Sequence, residues 1–179
     1  MSRAWGGFFL LLGLVILAAA AAQYGFMTVR QRELRAQAGA APPSATAAAA
    51  PPLRLVIPSI HLDDAVVRGV DYEDLLVAPG LLPGSPLPGA DGNTVIAGHR
   101  DTFFRRVAEL KPGARIRLFR AGREFDYRVS GRSIVSPTDT SALNPGHTSR
   151  LTLVTCYPTY WIGPAPKRLI VRASLTGIH

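Results

Sequence analysis

The clearest structural signal in the chain is the run RIRLFRAGREFDYRV at residues 115–129. Apolar and polar residues alternate along Arg115–Phe119, and they alternate again along Phe125–Val129. This period of two is typical of β-strands with one buried face. The four residues 120–123, RAGR, contain a glycine and separate the two runs, so they predict the turn of an antiparallel hairpin.

Further short runs rich in β-branched residues extend from this hairpin in both directions, separated by Gly and Pro clusters. The predicted strands lie near Leu53–Ile60, Ala65–Val70, Thr94–Ala97, Arg115–Phe119, Glu124–Val135, Leu151–Thr155 and Leu169–Leu175. Short helical turns are predicted at Tyr72–Val77, Phe103–Glu109 and Thr140–Leu143. Seven or more short strands with regular turn signals predict an all-β domain, either a closed barrel or a sandwich.

The N-terminal region has a different character. Residues Ala4–Ala22, AWGGFFLLLGLVILAAAAA, carry no charge, and about twenty apolar residues are enough to cross a bilayer as a helix. Such a run is either a retained signal anchor or a signal peptide that is cleaved near the alanines. We favour the anchor, a single transmembrane helix, because the apolar run is long for a cleaved signal. The flanking charges do not decide the orientation.

A spacer separates this apolar run from the predicted strands. Residues 37–52, QAGAAPPSATAAAAPP, hold neither a charge nor a large apolar side chain, so they cannot bury a core and indicate a linker. The predicted organisation is therefore an N-terminal anchor at 1–29, an Ala/Pro-rich linker at 30–52 and a β-domain at 53–179. An exported position for the β-domain follows from the anchor.

Composition excludes several classes of protein. A single cysteine rules out a disulfide framework, a cysteine-rich zinc site and an iron–sulfur cluster. The net charge is +8, from 20 Lys+Arg and 12 Asp+Glu, but no set of stacking aromatic residues accompanies it, so we expect no nucleic-acid partner. The acidic residues at 63, 64, 71, 73 and 74 are interpreted as a solvated edge. We expect neither a metal nor a cofactor.

Cys156 is the first candidate for chemistry. It ends the most apolar predicted strand and precedes Tyr157-Pro158. A free cysteine is often just a small buried apolar residue. An unpaired thiol is a liability in an exported domain, however, and a strand end beside a loop is where a rigid scaffold presents a reactive group. A thiol nucleophile also requires a cationic neighbour and a proton donor for the leaving group.

His99 and Arg168 are the candidates for those two roles. His99 lies in TVIAGHRDTFF (94–104), at the end of another apolar strand, where Gly98 relieves crowding. Arg168 begins the strand RLIVRASL after the loop GPAPK, and a guanidinium can stabilise a developing oxyanion. Arg172 lies on the same strand face by parity, so the sequence does not exclude it, but Arg168 is preferred because functional sites gather at strand starts and loops. The other histidines are expected to be solvated or structural: His61, His147 and His179.

These motifs resemble those of the sortase family. TLVTC at 152–156, GHRDT at 98–102 and the Arg168 strand occur in the order histidine, cysteine, arginine, which is that family's catalytic order. The stretches NTVIAGHRDTFF, TLVTCYP and GPAPKRLIVRA are most similar to the class D branch. The resemblance covers nearly all of residues 53–175 and implies an eight-stranded closed β-barrel.

The resemblance also implies an activity and roles for the residues. Sortases cleave an LPxTG-like sorting signal through a thioacyl intermediate, and they transfer the protein to an amine such as a peptidoglycan stem or a pilin lysine. By this resemblance, Cys156 is the nucleophile, His99 is the general acid and base, and Arg168 positions the substrate and stabilises the oxyanion. Thr155 supports the oxyanion region, and Asp101 orients the histidine.

Two other interpretations are weighed against the sortase. An L,D-transpeptidase usually keeps its histidine within a few residues of the cysteine, whereas His99 and Cys156 are 57 residues apart. A papain-like hydrolase places the cysteine before the histidine, which is the reverse of the order here. A non-enzymatic alternative is a tethered β-barrel that binds an anionic envelope surface through its positive charge.

Overall fold

The computed structural model describes residues 2–40 and 53–179. Within them the chain forms a long helix, α1 (Ser2–Ala40), followed by an eight-stranded β-domain with one further α-helix, α2 (Tyr72–Val77). The strands are β1 (Leu53–Ile57), β2 (Leu62–Arg68), β3 (Gly80–Leu81), β4 (Asn93–Ala97), β5 (Arg115–Arg120), β6 (Arg123–Val135), β7 (Arg150–Tyr157) and β8 (Lys167–Ile178).

The strands close into a barrel in the order β1-β2-β3-β4-β7-β8-β6-β5. Two neighbouring pairs are parallel, β2 with β3 and β4 with β7, and the others are antiparallel. The predicted hairpin is confirmed, since β5 and β6 pair from Arg115↔Arg128 to Arg120↔Arg123. Closure leaves the sheet without an open edge along most of its length, which removes a site of aggregation.

The barrel interior is filled by inward-facing side chains from every long strand. The fully buried residues include Leu55, Ile57, Ile96, Ile116, Leu118, Tyr127, Leu151 and Leu153. Tyr127 is the largest of them, and its hydroxyl accepts a hydrogen bond from the Gly89 backbone N–H (3.2 Å). Burial raises the pKa of Tyr127 above its usual value, so this hydroxyl stays neutral inside the barrel.

The structure differs from the predicted elements at several points. β3 was not predicted, because it has two residues and lies in a Pro- and Gly-rich segment with no alternation. β1 ends at Ile57, because Pro58 begins a 3-10 turn at Pro58–Ile60. β2 begins at Leu62 rather than at Ala65. The helical turns are confirmed in α2 and in the 3-10 turns Val107–Glu109 and Ser141–Leu143.

Helix α1 continues past residue 29, where the sequence placed the start of the linker. Residues 30–40 are helical to Ala40, which follows from their Ala, Arg, Gln, Glu and Leu content, since all of these are strong helix formers. The remainder of the predicted linker, residues 41–52, lies outside the described residues. The C-terminal half of α1 packs against β2 and α2, and we call this contact region the helix junction.

Candidate active site

Cys156 and Arg168 face each other across two neighbouring strands. β7 and β8 pair in an uninterrupted antiparallel register from Arg150↔Ser174 to Tyr157↔Lys167, in which Cys156 is the direct partner of Arg168. Directly opposed residues in such a pair have Cα atoms about 4.5–5.5 Å apart and side chains on the same face. The backbone register therefore places Cys156 and Arg168 directly opposite each other, with both side chains on the same face.

The loop that carries His99 leaves β4 beside the same end of β7. β4 and β7 run parallel with Ala97 opposite Val154, and the Gly98 N–H donates to the Val154 carbonyl (3.1 Å). β4 ends at Ala97, two residues before His99, so the His99 loop begins beside the β7 residues that lead to Cys156. We call this end of β4, β7 and β8, with His99, Cys156 and Arg168, the thiol end.

Gly98 is required for the path of this loop. A Cβ on Gly98 would lie 2.7 Å from Cγ of Phe104, and Phe104 is 1% exposed and fixed in the core. The Phe104 N–H donates to the His99 carbonyl (3.0 Å). The backbone of His99 is therefore held on one side by the β7 ladder and on the other by a buried aromatic residue.

Thr155 fastens the same loop from the strand side. Its side chain is 4% exposed, and its hydroxyl donates to the Gly98 carbonyl at 2.7 Å. Successive residues of a strand point to opposite faces, so this hydroxyl lies on the face opposite the Cys156 thiol. Thr155 thus positions the segment before His99, and its one hydroxyl proton is already used.

Arg168 keeps part of its hydrogen-bonding capacity unused. Its Nη1 donates to the backbone carbonyls of Ala165 (3.3 Å) and Lys167 (3.0 Å). Across residues 2–40 and 53–179, its Nε and Nη2 make no hydrogen bond or ion pair. Arg172, the alternative that the sequence left open, pairs with Thr152 and lies four residues, roughly 13 Å, further along β8. The register selects Arg168 as the arginine beside Cys156.

Cys156 is a free, half-buried thiol at the point where β7 leaves the core. The residues before it in the strand are mostly buried, including Leu151 and Leu153. After Tyr157 the chain turns through a cis peptide bond to Pro158 and enters the β7–β8 loop. The thiol is thus neither sealed in the core nor carried on a mobile segment, but sits at a rigid strand end.

Two contacts at the thiol end were not anticipated from the sequence. The ring of Tyr72, the first residue of α2, meets the His99 ring edge-on, with centroids 6.0 Å apart and an angle of 63°. The Nη2 of Arg100 donates to the carbonyls of Trp161 (2.8 Å) and Gly163 (2.9 Å), which ties the His99 loop to the β7–β8 loop. Neither residue stands out in the sequence, because each contact depends on how distant loops fold.

The remaining predicted residues lie elsewhere. Asp101 is exposed, and the described part of the chain shows no hydrogen bond or ion pair between it and His99. His61 and His147 are exposed, and His179 forms an ion pair with Asp126 at 3.4 Å. Among the described residues, no group of three or more His, Cys, Asp or Glu side chains could hold a metal ion.

Known proteins resemble this chain in both fold and sequence. The family description "Sortase domain" matches residues 55–176. The chain belongs to the sortase family. The match includes every residue of the thiol end, and it confirms the family that the GHRDT and TLVTC motifs predicted.

Individual sortases give the same result. Sortase D of Bacillus subtilis (strain 168) is 41% identical over 118 residues, which cover 65% of this chain and 60% of that protein. Sortase A of Bacillus anthracis is 29% identical over 128 residues, or 69% of this chain and 59% of that protein. The chain thus spans about three fifths of the length of these curated relatives.

Solved structures confirm the eight-stranded sortase barrel. A Clostridium perfringens Sortase D5 transpeptidase has a TM-score of 0.70 over 84% of this chain and 98% of that one, at 23% identity. Sortase A from Corynebacterium diphtheriae has a TM-score of 0.66 at 31% identity, over 70% of this chain and 60% of that one. The D-type names among these relatives agree with the class D resemblance of the motifs.

Proposed function

We propose that this sortase is a membrane-anchored cysteine transpeptidase that cleaves an LPxTG-like sorting signal and transfers the new carboxyl end to an amine. The observation that supports the proposal is the thiol end, where Cys156 pairs with Arg168 across β7 and β8 and the β4 strand beside them leads into the His99 loop. A thiol, an imidazole and a guanidinium with free donors supply a nucleophile, a proton carrier and an oxyanion donor.

In the first half-reaction, the Cys156 thiolate attacks the carbonyl carbon of the threonine in the sorting signal. The C–S bond forms, and the carbonyl electron pair moves to oxygen. Protonated His99 then gives its proton to the departing amine as the C–N bond breaks, which leaves a thioacyl-enzyme. Because both groups lie at strand ends held by the backbone, little reorganisation accompanies the step.

In the second half-reaction, an amine of the cell envelope attacks the thioacyl carbon. Neutral His99 accepts the proton of the attacking amine, and the Cys156 sulfur leaves as a thiolate. A peptidoglycan stem amine and a pilin lysine are the two candidate acceptors. Atoms and charge balance over the cycle without any cofactor or metal.

Arg168 stabilises the oxygen that becomes negative in both half-reactions. Its Nη1 is held by two backbone carbonyls, so the planar guanidinium is already oriented before substrate arrives. The free Nε and Nη2 are the donors for the oxyanion or for a substrate carbonyl. Preorganised donors of this kind typically contribute about 10²–10³ in rate.

The two remaining predicted site residues, Thr155 and Asp101, differ in whether a hydrogen bond supports their role. Thr155 supports the site by fixing the Gly98 carbonyl, and so the path of the His99 loop. Asp101 was expected to orient His99. With no contact between the two side chains, an effect of Asp101 on catalysis would have to act through charge alone, and an unchanged pH–rate profile in Asp101→Asn would remove it from the site.

The organisation of the chain fits an anchored enzyme that acts outside the cytoplasm. Residues 1–29 are proposed as the single-pass anchor, 30–52 as the connecting segment and 53–179 as the catalytic domain. In the described part of the chain, residues 11–34 of α1 contain a stretch long and apolar enough to cross a membrane, and its most apolar window is not buried in the protein. The helical residues 30–40 extend the connection as a rod before the remaining linker.

The test is cleavage of a fluorogenic LPxTG-like peptide with and without an added amine. We expect wild type to release the glycine-terminated fragment and to form the amide product when the amine is present. Cys156→Ala should reduce the rate by at least about 10³-fold, whereas His147→Ala, an exposed histidine outside the thiol end, should not change it. Retained turnover in Cys156→Ala would rule out this mechanism. Absence of cleavage together with specific binding to anionic wall polymer would favour the tethered binding barrel.

A further inference from the structure

A recess lies at the helix junction, separate from the thiol end. It is a cavity of about 610 Å³ between α1 and the barrel, and its lining contains none of His99, Cys156 or Arg168. Its helix wall is one stripe: Tyr24, Met27, Thr28, Gln31 and Arg32. Tyr24 lies three and four residues before Met27 and Thr28, and Thr28 lies three and four residues before Gln31 and Arg32, which places all five on a single helix face. The opposite wall comes from the barrel residues Ile60, His61, Leu62, Asp64, Asp101, Thr102, Phe103, Arg105 and Arg106.

A buried glutamine on the helix wall ties α1 to the β-domain beside the cavity. Gln31 is 6% exposed, although its neighbours Arg30 and Arg32 are exposed. Its side-chain carbonyl accepts the Ala65 N–H (2.9 Å), and its amide nitrogen donates to the Val77 carbonyl (3.3 Å). β3 pairs with β2 only from Val67 onward, so Gln31 provides the partner that the Ala65 N–H would otherwise lack. The cavity is therefore a fixed feature of the fold.

The position of the cavity along α1 is that of a membrane surface. The charge-free run Ala4–Ala22 is about 28 Å long as a helix, close to the thickness of a hydrocarbon core. Tyr24 and the arginines that follow therefore belong to the headgroup layer, where tyrosine and arginine are favoured. The fixed helix junction brings the segment 101–106 of the barrel to the same level.

The cavity wall carries three arginines, at 32, 105 and 106, and two carboxylates, Asp64 and Asp101, and these charges suit a phosphate ligand that also has hydrogen-bond donors. Arg32 and Arg105 are exposed, and neither has a hydrogen bond or ion pair within residues 2–40 and 53–179. Arg106 is already held by Glu109 (2.7 Å). A guanidinium binds phosphate oxygens in pairs. Asp101, exposed on the same wall, can only accept hydrogen bonds and so requires a ligand with donors.

We propose that this cavity binds the headgroup of an anionic, hydroxyl-bearing glycerophospholipid, as in phosphatidylglycerol. The phosphodiester lies on Arg32 and Arg105, and a headgroup hydroxyl donates to Asp101. The apolar side chains of Met27 and Phe103 cover the glycerol backbone. This inference rests on the proposed membrane anchoring, and it gives Asp101 a role outside the thiol end. Bound lipid would fix the barrel at one height and tilt over the membrane.

The experiment uses the full chain in a non-ionic detergent, titrated with short-chain phosphatidylglycerol and followed by native mass spectrometry. We expect saturable binding of one lipid, weakened roughly fivefold in Arg32→Gln or Arg105→Gln and about 25-fold in the double variant. Arg123→Gln, an exposed arginine in the β5–β6 hairpin, is the matched control and should bind like wild type. The thermal midpoint of each variant establishes that it is folded.

Three results would overturn the lipid site. These are equal binding of short-chain phosphatidylcholine, equal binding of soluble glycerol phosphate, and phosphatidylglycerol binding that the double substitution leaves unchanged. The first two would indicate, respectively, an unselective apolar recess and a site for a free phosphate ester. Wild-type cleavage of the LPxTG-like peptide in the same detergent is scored separately. Cleavage without selective lipid binding therefore rejects this inference while the proposed transpeptidase stands.

Discussion

The thiol end and the helix junction are built by different means. At the thiol end, main-chain pairing of β7 and β8 sets Cys156 opposite Arg168, and β4, paired with β7, leads into the His99 loop. At the helix junction, the Gln31 side chain bridges α1 to β2 and α2. The first arrangement rests mainly on backbone hydrogen bonds, with Gly98 and Thr155 fixing the loop that carries His99. The second includes the two hydrogen bonds of the Gln31 amide.

Because of this difference, the thiol end should control the reaction rate, and the helix junction should control how α1 packs on the barrel. Side chains at the thiol end can change without moving the backbone, so their substitution should affect rate more than stability. At the helix junction, substitution should loosen the helix and leave the β7–β8 ladder intact. Three substitutions test this contrast, and a fourth, outside both regions, gives a reference. They follow in order of decreasing expected effect.

The largest effect is expected from Arg168→Lys. Lysine keeps the positive charge but loses the planar fork that presents Nε and Nη2 together. We expect kcat/KM for the LPxTG-like peptide to fall about 10²–10³-fold, with little change in thermal midpoint. Arg172→Lys, on the same strand face, is the matched control. Equal losses of kcat/KM in the two variants would mean that pairing with Cys156 does not determine which arginine acts in the reaction.

Gly98→Ala should disturb both rate and stability. The new Cβ would lie 2.7 Å from the Phe104 ring, so either the ring or the His99 loop must shift. Overpacking of this kind costs about 1–3 kcal/mol of unfolding free energy, and a displaced imidazole should lower kcat as well. Chemical denaturation and peptide cleavage measure the two effects. Gly131→Ala, where a Cβ meets nothing within 4 Å, serves as control, and an unaffected Gly98→Ala would refute the packing argument.

Gln31→Leu should open the helix junction without stopping peptide cleavage. Leucine keeps the bulk but leaves the Ala65 N–H and the Val77 carbonyl without their partner, at a cost of about 1–3 kcal/mol. We expect hydrogen exchange at the Ala65 amide to accelerate by about tenfold or more, while the amides of β7 and β8 stay protected. Glu33→Gln, on the exposed face of α1, should show no such change. Acceleration spread over β7 would contradict the independence of the two regions.

The smallest effect is expected at Asp126, which lies outside both regions. The hydrogen bonds from Arg115 hold the pKa of Asp126 below its usual value, and the Arg115 and His179 charges lower it further. A depressed carboxyl pKa adds stability that is complete above the unfolded pKa of about 3.9 and is lost as the pH falls through the folded value. Asp126→Asn should therefore flatten the fall of the thermal midpoint below about pH 4. If the thermal midpoints of wild type and Asp126→Asn fell identically below about pH 4, this explanation would be contradicted.

Much of the fold could be predicted from the sequence, because alternation is strong in the long strands. The pattern at residues 115–129 predicted the hairpin that the structure contains. It failed at β3, which has only two residues and takes its conformation from pairing with β2 and β4. It also placed the start of β2 too late, because Asp63 interrupts the apolar run. Asp63 is accommodated there by an ion pair with Arg54 on the neighbouring strand.

The site was predictable to the extent that its residues lie in short motifs at strand ends. Cys156 and His99 could be selected in this way. Arg168 could be preferred over Arg172 only because it begins the strand, since parity places both on one face; the pairing with Cys156 is what distinguishes them. The contacts of Tyr72 and Arg100, like the bridging role of Gln31, depend on how distant segments pack. Local sequence patterns do not predict contacts between segments that are far apart in the chain.

The most direct test of the central claim is the intact mass of the enzyme during turnover of an LPxTG-like peptide without an added amine. We predict an adduct equal in mass to the acyl half of the peptide, removed by hydroxylamine and located on the fragment that contains Cys156. Its appearance should match the release of the glycine-terminated half. Peptide cleavage with no such adduct, or with an adduct on any other residue, would contradict a thioacyl mechanism at the thiol end.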